Sequence, residues 1–273
     1  MNTPLDQYGV IGHPVAHSWS PFIHSLFARE TGQALSYRLH DVPAERFVEY
    51  VLDFAARGGR GLNVTVPHKV AAAGLATELS PRAERARAAN TLTFVETRIL
   101  ADNTDGAGLV RDLTLNLGVA IAGRRILIGG AGGAARGVLG PLLEHAPAEI
   151  VVAARTAERA RGLAQGFADL GAVRGCGLEE LGPDPFDLVI NATSAGLAGE
   201  VPAIPAAAIG PHTTCYDMGY SKSDTAFVLW ARGRGCERAV QGWGMLVEQA
   251  AESFLIWRGI RPATAPVRAL LPG

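Results

Sequence analysis

The apolar run Arg125-Ile126-Leu127-Ile128 opens directly into Gly130-Ala131-Gly132-Gly133-Ala134-Ala135-Arg136. A buried strand that gives way to glycines and resumes as a helix is the signature of a parallel α/β sheet. Only glycine lets the backbone turn this tightly and approach a pyrophosphate closely, while the helix that follows aims its free N–H groups at the anion. The segment departs from the usual spacing, because alanine or a larger residue stands where a third glycine is expected. The apolar strand and the immediate helical start, predicted over Ala134 to Glu144, still favour a dinucleotide cofactor held by Gly130, Ala131, Gly132, Gly133 and Ala134.

The end of the next strand selects the cofactor. Binders of NAD usually place an acid there to accept from the ribose 2′-hydroxyl. This chain reads Val151-Val152-Ala153-Ala154-Arg155-Thr156-Ala157-Glu158-Arg159, with no acid at the strand tip. Arg155 and Arg159, flanking Thr156, offer planar donors to a 2′-phosphate, and an acid at the tip would repel it. NADP is therefore preferred over NAD.

Strands and helices alternate elsewhere too. A strand at Gln7 to Ile11 leads into Ser20-Pro21, read as an N-cap with proline at the first helical position. A second unit runs from Tyr37–Val42 into a helix near Ala44–Ala55, and Thr91–Val95 with Arg98–Leu100 reads as a hairpin. After Gly106 the pattern restarts, with strands at Arg125, Glu149–Ala153, Phe186–Ile190 and Thr214–Met218. Met245 to Trp257 reads as one amphipathic helix stopped by Gly259 and Pro262. The economical reading is an α/β protein of two lobes with a cleft between them, closing on its ligands. The first lobe spans 1–105, is completed by 240–273 and carries a mostly parallel sheet; a Rossmann-like dinucleotide-binding lobe spans 106–239.

Composition narrows the function. The chain has 273 residues, 48% hydrophobic and 19% charged, so it can bury a sizeable core. A net charge of -1 argues against bulk binding to nucleic acid or anionic membranes. No apolar run is long enough to span a bilayer, and residues 1–10 lack a targeting pattern. Three distant cysteines, Cys176, Cys215 and Cys236, suit a reducing cytoplasm, and no histidine spacing suggests a metal.

A second motif supplies chemistry. In Gly61-Leu62-Asn63-Val64-Thr65-Val66-Pro67-His68-Lys69 a short apolar strand ends at a proline read as starting a helix, with Lys69 on its first turn. Asn63, Thr65 and Lys69 then converge at the strand end. Asp102-Asn103-Thr104-Asp105-Gly106 adds a carboxylate on a turn. One ammonium and one carboxylate in one place form a candidate acid/base pair for alcohol or carbonyl chemistry.

Taken in order, these motifs resemble the shikimate dehydrogenase family over essentially the whole chain. The others that carry the resemblance are His17-Ser18-Trp19-Ser20-Pro21, Ala89-Asn90-Thr91, Asn191-Ala192-Thr193-Ser194, Tyr216-Asp217-Met218-Gly219-Tyr220 and Gly244-Met245-Leu246-Val247-x-Gln249-Ala250. The resemblance implies reversible, NADPH-dependent reduction of 3-dehydroshikimate to shikimate, a step of aromatic amino acid (chorismate) biosynthesis in the cytoplasm. It makes the first lobe the substrate-binding domain. It assigns the substrate carboxylate to Ser18 and Ser20, helped by Thr65 and Tyr220. Asn63, Asn90 and Gln249 suit ring hydroxyls, since amides both donate and accept. Lys69 becomes the proton donor, with Asp105 beside it. Asn191, Thr193 and Ser194 would pass along the cofactor, and Met218, Gly219, Gly242 and Met245 would line the nicotinamide pocket. The partner implied is a small molecule, and the chain a monomer or homodimer.

Four positions depart from the family pattern: Trp19 between the serines, Ala154 where Asn is usual, Ala226 where Pro is usual, and Gln241 for Asp. They bear on affinity and substrate breadth. Other readings stay open: a quinate/shikimate dehydrogenase using NAD or quinate, a non-catalytic ligand sensor, and a methylene-tetrahydrofolate dehydrogenase. The missing acid near Arg155 speaks against the first, the retained Lys/Asp pair against the second, and the Ser18/Ser20 and Gln249 motifs against the third.

Overall fold

The computed structural model describes residues 5–272; part of the stretch read for a targeting pattern, residues 1–4, lies outside the described residues. The chain divides into two compact units, 5–108 with Leu246–Leu270, and Leu109–Met245 with 271–272. The sequence pattern places these divisions at 105 and 240.

The first unit contains strands β1 (Asp6–Gly12), β2 (Leu35–Asp41), β3 (Gly59–Val64), β4 (Glu78–Leu79), β5 (Thr91–Val95) and β6 (Arg98–Asp102), with helices α1 (Ser20–Thr31), α2 (Phe47–Ala56), α3 (Lys69–Leu75) and α4 (Pro81–Ala86). Its six strands run in the order β2-β1-β3-β5-β6-β4. β1 pairs in parallel with β2 and β3, and β4 with β6, but β5 is antiparallel to both β3 and β6. The sheet is therefore mostly parallel, as expected, with β5 alone running against the other five strands. The reason is local: Thr91–Val95 and Arg98–Asp102 are joined by too short a turn for a crossover helix, so they fold as a hairpin. Ile11, Phe47, Val51, Leu62, Val64 and Leu92 form the core between this sheet and α2 and α3.

Two helix starts differ from the sequence reading. α1 has Trp19 at the N-cap position, and Ser20 and Pro21 are its first two residues. Ser18 Oγ, not Ser20 Oγ, accepts the Ser20 N–H at 3.3 Å. Pro67 does not open α3. It follows a cis peptide in the turn after β3, and the helix begins at Lys69 with His68 at the N-cap.

Helix α5 (Asp105–Arg111) carries the chain into the second unit. There β7 (Arg125–Gly129), β8 (Glu149–Ala154), β9 (Val173–Gly177), β10 (Leu188–Asn191), β11 (Thr214–Asp217) and β12 (Arg238–Gln241) alternate with α6 (Gly133–Leu143), α7 (Ala157–Gln165) and α8 (Ala226–Gly233). All pair in parallel, in the order β12-β11-β10-β7-β8-β9. Leu127, Val151 and Val189 bury one face of this sheet, and Ile126, Ile128, Val152 and Ile190 the other. Such strands read as continuous apolar runs because neither face meets water. Helix α9 (Trp243–Arg258) returns the chain to the first unit, where α10 (Ala265–Arg268) ends it.

Candidate functional site

In the first unit, five segments far apart in sequence meet in one polar cluster. β3 ends at Asn63, α3 begins at Lys69, β5 begins beyond Asn90, α5 begins at Asp105, and α9 passes Gln249 and Ser253. The Lys69 ammonium pairs with Asp105 Oδ2. Both side chains are largely buried, 14% and 5% exposed. Asp105 stands in the first turn of α5, where the helix dipole favours an anion. Its second oxygen accepts from Asn90 Nδ2 at 2.9 Å, and its backbone N–H donates to Asn103 Oδ1 at 3.2 Å. Lys69 and Asp105, expected from sequence to stand together, do meet, and the carboxylate is held from two sides.

Asn63 and Asn90 are buried and densely bonded. Asn63 Oδ1 accepts from Tyr37 Oη at 2.7 Å, and Asn63 Nδ2 donates to Ser253 Oγ at 2.9 Å. Asn90 Oδ1 accepts from the Thr104 N–H at 2.8 Å and from Thr91 Oγ1 at 2.9 Å. Gln249 spends its N–H on the Leu246 carbonyl at 2.8 Å, so its Oε1 faces Asn90 as an acceptor at 3.2 Å. Tyr37, Thr91, Thr104 and Ser253 were not singled out from sequence. Ser253 alone had a readable clue, since it lies four residues after Gln249 on one helix face.

Ser18 and Ser20 are linked by a 3.1 Å hydrogen bond from Ser18 Oγ to Ser20 Oγ. Ser18's proton is engaged there, and the Ser20 hydroxyl keeps its own for a ligand. Trp19 packs edge-on against Phe22, with ring centroids 5.8 Å apart. Thr65 donates its N–H to Ile11 O at 2.9 Å, which fixes the backbone just after β3. Tyr220 belongs to the second unit and packs at 4.6 Å against Trp243.

Two groups beside this cluster set how the unit responds to acid. His24 is fully buried, stacked 4.1 Å from Tyr37, and burial holds its imidazole down to about 3 from the ordinary 6.5, with Asn63 offsetting slightly. Its folded value lies below its unfolded one, so stability falls as the pH drops below about 6.5. Burial also raises Asp102, but hydrogen bonds from Arg82 and Ser80 outweigh it and hold the carboxyl below its usual 3.8. Those bonds are 2.6 Å from Arg82 Nε and 2.6 Å from Ser80 Oγ. The stabilisation from Asp102 is present above its unfolded value and disappears as the pH falls through the folded one. We expect the melting temperature to decline from near neutrality and most steeply below pH ~4. Asp102→Asn should cost about 1.5–3 kcal/mol at pH 7, and the difference should shrink as the pH falls below 3.8 and through the folded value. A difference that keeps its size across that fall would remove Asp102 from this account.

The second unit builds a different cradle. Gly130 follows β7 with φ +109, and a Cβ there would lie 3.0 Å from the Ala192 carbonyl oxygen. Glycine is therefore required by both conformation and space. Helix α6 starts at Gly133, one residue before the expected Ala134, with Gly132 at its N-cap and no side chain closing its first turn. Its first N–H groups stay open to an anion. Thr156 stands at the N-cap position of α7 without a side-chain cap bond, leaving Arg155 just before the helix and Arg159 in its first turn, both exposed. Arg155 lines a pocket of about 360 Å³ with Leu178, Glu179, Ala203 and Pro205. Glu179 was missed because it follows β9, a neighbour of β8 only in the folded sheet.

Asn191 ends β10, and its amide is engaged at both ends: Nδ2 donates to Asp217 Oδ1 at 3.0 Å, and Oδ1 accepts from Thr193 Oγ1 at 2.7 Å. It holds the loop that contains Thr193. Asp217 also accepts from the Gly219 N–H at 3.0 Å and Thr225 Oγ1 at 2.6 Å. Gly242 donates its N–H to Gly219 O at 2.9 Å, and a Cβ on it would lie 2.6 Å from the Met218 carbonyl. Met245 is buried in the core of this unit, and Met218 packs against that core. Gln241 ties the Ser221 N–H at 2.7 Å. Ala226 opens α8 behind a Thr225 cap that accepts from Val228 N at 3.3 Å. Both departures are locally accommodated.

Three family models match the chain: the shikimate dehydrogenase substrate binding domain over residues 10–92, shikimate/quinate 5-dehydrogenase over 113–198, and the shikimate 5'-dehydrogenase C-terminal domain over 242–271. A protein from Alkalilimnicola ehrlichii named shikimate dehydrogenase (NADP(+)) is 56% identical over 97% of this chain and 98% of its own. The chain belongs to the shikimate dehydrogenase family. A family member of the same name from Hahella chejuensis is 52% identical over 97% of this chain and 98% of its own. Among solved structures, an Ael1 enzyme from Pseudomonas putida superposes with a TM-score of 0.89 at 43% identity, over 98% of both chains. The shikimate 5-dehydrogenase of Thermus thermophilus, solved with NADP(H) and shikimate, gives 0.85 at 32% identity, over 97% of this chain and 98% of that one. The two-unit α/β architecture is that of the family.

Proposed function

We propose that this chain catalyses the reversible, NADPH-dependent reduction of 3-dehydroshikimate to shikimate, a step of aromatic amino acid biosynthesis. The observation that carries the reading is the buried Lys69–Asp105 pair, ringed by amides and hydroxyls, in a chain 56% identical to a shikimate dehydrogenase (NADP(+)).

When bound, NADPH supplies the hydride that converts the ketone carbon to an alcohol. The residues fit that cofactor: Gly130 to Ala134 and the open start of α6 suit its pyrophosphate, and Arg155, Thr156 and Arg159 its 2′-phosphate. Thr193, on the loop held by Asn191, would lie along it, with Met218, Gly242 and Met245 beside the nicotinamide.

The chain's own residues do the rest. Lys69 delivers a proton to the oxygen on the reduced carbon, and in the reverse direction removes it. Asp105 keeps the ammonium in place and accepts from a ring hydroxyl. Ser20 donates to the substrate carboxylate from a hydroxyl ordered by Ser18, with Thr65 helping. Asn63, Asn90 and Gln249 address the ring hydroxyls. Their opposite donor and acceptor faces make the site selective, because a ligand lacking a hydroxyl leaves a buried amide unpaired.

Among the described residues no helix is long and apolar enough to cross a membrane. The three cysteines are free and buried, which suits the cytoplasm. We read the chain as a monomer or homodimer there, a choice that sedimentation decides.

Steady-state rates for shikimate and quinate, each with NADP(+) and NAD(+), test the reading. Shikimate with NADP(+) is expected to have the largest kcat/KM. A larger value for quinate, or for NAD(+), would make the chain a broader quinate/shikimate dehydrogenase. No turnover with any pair, alongside tight ligand binding, would make it a sensor.

A further inference from the structure

We propose that Ser253 is a positioning residue for this reaction, closing a one-way ring of hydrogen bonds that aims Asn90 at Asp105. This rests on the catalytic reading of the Lys69–Asp105 pair given above. The ring follows from counting protons. Ser253 is fully buried, and its hydroxyl lies 2.8 Å from Thr91 Oγ1, 3.2 Å from Thr104 Oγ1, 2.9 Å from Asn63 Nδ2 and 3.1 Å from the Gln249 carbonyl. A serine hydroxyl has one proton and two lone pairs, so the roles of these neighbours are not interchangeable.

Asn90 Oδ1 is approached by the Thr104 N–H at 2.8 Å, the Thr91 hydroxyl at 2.9 Å and the Thr104 hydroxyl at 3.1 Å; the two shorter contacts take its two lone pairs. Thr91's proton is therefore used, and the Ser253 proton goes to Thr91 at 2.8 Å in preference to the Gln249 carbonyl at 3.1 Å. With Asn90 Oδ1 filled, the Thr104 hydroxyl donates to Ser253. Ser253 then accepts from Asn63 and Thr104 and donates to Thr91, leaving no open valence. Asn90 closes the circuit by donating one N–H to Thr104 Oγ1 at 2.8 Å and the other to Asp105 Oδ1 at 2.9 Å.

The order runs Ser253 to Thr91 to Asn90 to Thr104 and back to Ser253, every group donating in the same direction. Bonds so arranged reinforce one another in a low-dielectric interior. The consequence for chemistry lies at Asn90. An amide rotated by half a turn would present its carbonyl oxygen to the Asp105 carboxylate and push it away from Lys69. The ring adds to the Thr104 N–H in opposing that rotation, acting through a serine on α9. It also places Asn63 and Asn90, both read as substrate amides, under one hydroxyl.

The test uses the full-length enzyme and four variants: Ser253→Ala, Thr91→Val, the double variant, and Thr91→Ser. Thr91→Val keeps the shape and removes the proton, whereas Thr91→Ser keeps the proton. Each of the first two is expected to lower kcat for 3-dehydroshikimate about tenfold, the size of one mis-set hydrogen bond. KM for NADPH should stay at wild type in both. The double variant should be no slower than the slower single variant, because a ring is broken only once. Thr91→Ser should recover most of the turnover. Wild-type kcat in Thr91→Val, additive losses in the double variant, or a Thr91→Ser as slow as Thr91→Val would each overturn the ring. Lys69→Ala is run in parallel: if it alone keeps full turnover, the catalytic reading fails, whatever the serine variants do. Should Ser253→Ala fold poorly, the two Thr91 variants decide the matter.

Discussion

Lys69→Ala is expected to lower kcat for 3-dehydroshikimate reduction by roughly 10²–10⁴, with little change in the KM for substrate, the usual span for loss of a general acid. The split follows from the site. Lys69 Nζ is committed to Asp105, while the groups read as gripping the substrate, Ser18, Ser20, Asn63 and Asn90, have partners of their own. Removing the ammonium deprives the product oxygen of its proton and leaves these anchors in place. It also leaves the Asp105 carboxylate, 5% exposed, without its cation, so some loss of stability accompanies the loss of rate. Melting curves and single-turnover rates separate the two. A folded variant with near-normal single-turnover reduction would take Lys69 out of the chemistry.

The second large effect is on the cofactor. Replacing Arg155 and Arg159 together by alanine should raise the KM for NADPH by about 10²-fold or more, since each charge-assisted hydrogen bond contributes ~1.5–3 kcal/mol. kcat at saturation should hold, because neither side chain belongs to the cluster around Lys69. The KM for NADH should barely move, as it lacks the phosphate that these guanidinium groups are proposed to bind. Glu179 sharpens the expectation, since it lines the same pocket as Arg155. With both arginines gone its carboxylate faces the phosphate unopposed. Preference should therefore pass from NADPH to NADH. Equal loss for both cofactors would show that these arginines support the fold of the pocket instead of reading the phosphate.

How much of this was readable in advance differs between the two units. The parallel sheet was visible in Ile126-Leu127-Ile128 and Val151-Val152-Ala153, because strands buried on both faces are apolar throughout. β9 and β12 were not. Val173–Gly177 contains two glycines and an arginine, and Arg238–Gln241 has two polar ends; both are strands because a formed edge accepts them. The first sheet was read as mostly parallel with a hairpin in it, which holds; what was not readable is that the hairpin joins the sheet through β5 pairing with β3, a contact made only in the folded unit.

Residue type and order in the chain alone determined the acid/base pair, the paired serines, the glycine turn and the two arginines, because each rests on chemistry that a side chain or backbone has wherever it stands. Tertiary structure decided which hydroxyls surround them. Ser253 meets Asn63 across a separation of 190 residues, and Glu179 reaches the Arg155 pocket only because β9 lies beside β8. A serine or a glutamate gives no local sign of such a partner. Its hydrogen bonds are chosen by distances that exist only after the sheets and α9 have packed, and that is where the direction of the Asn90 amide is settled.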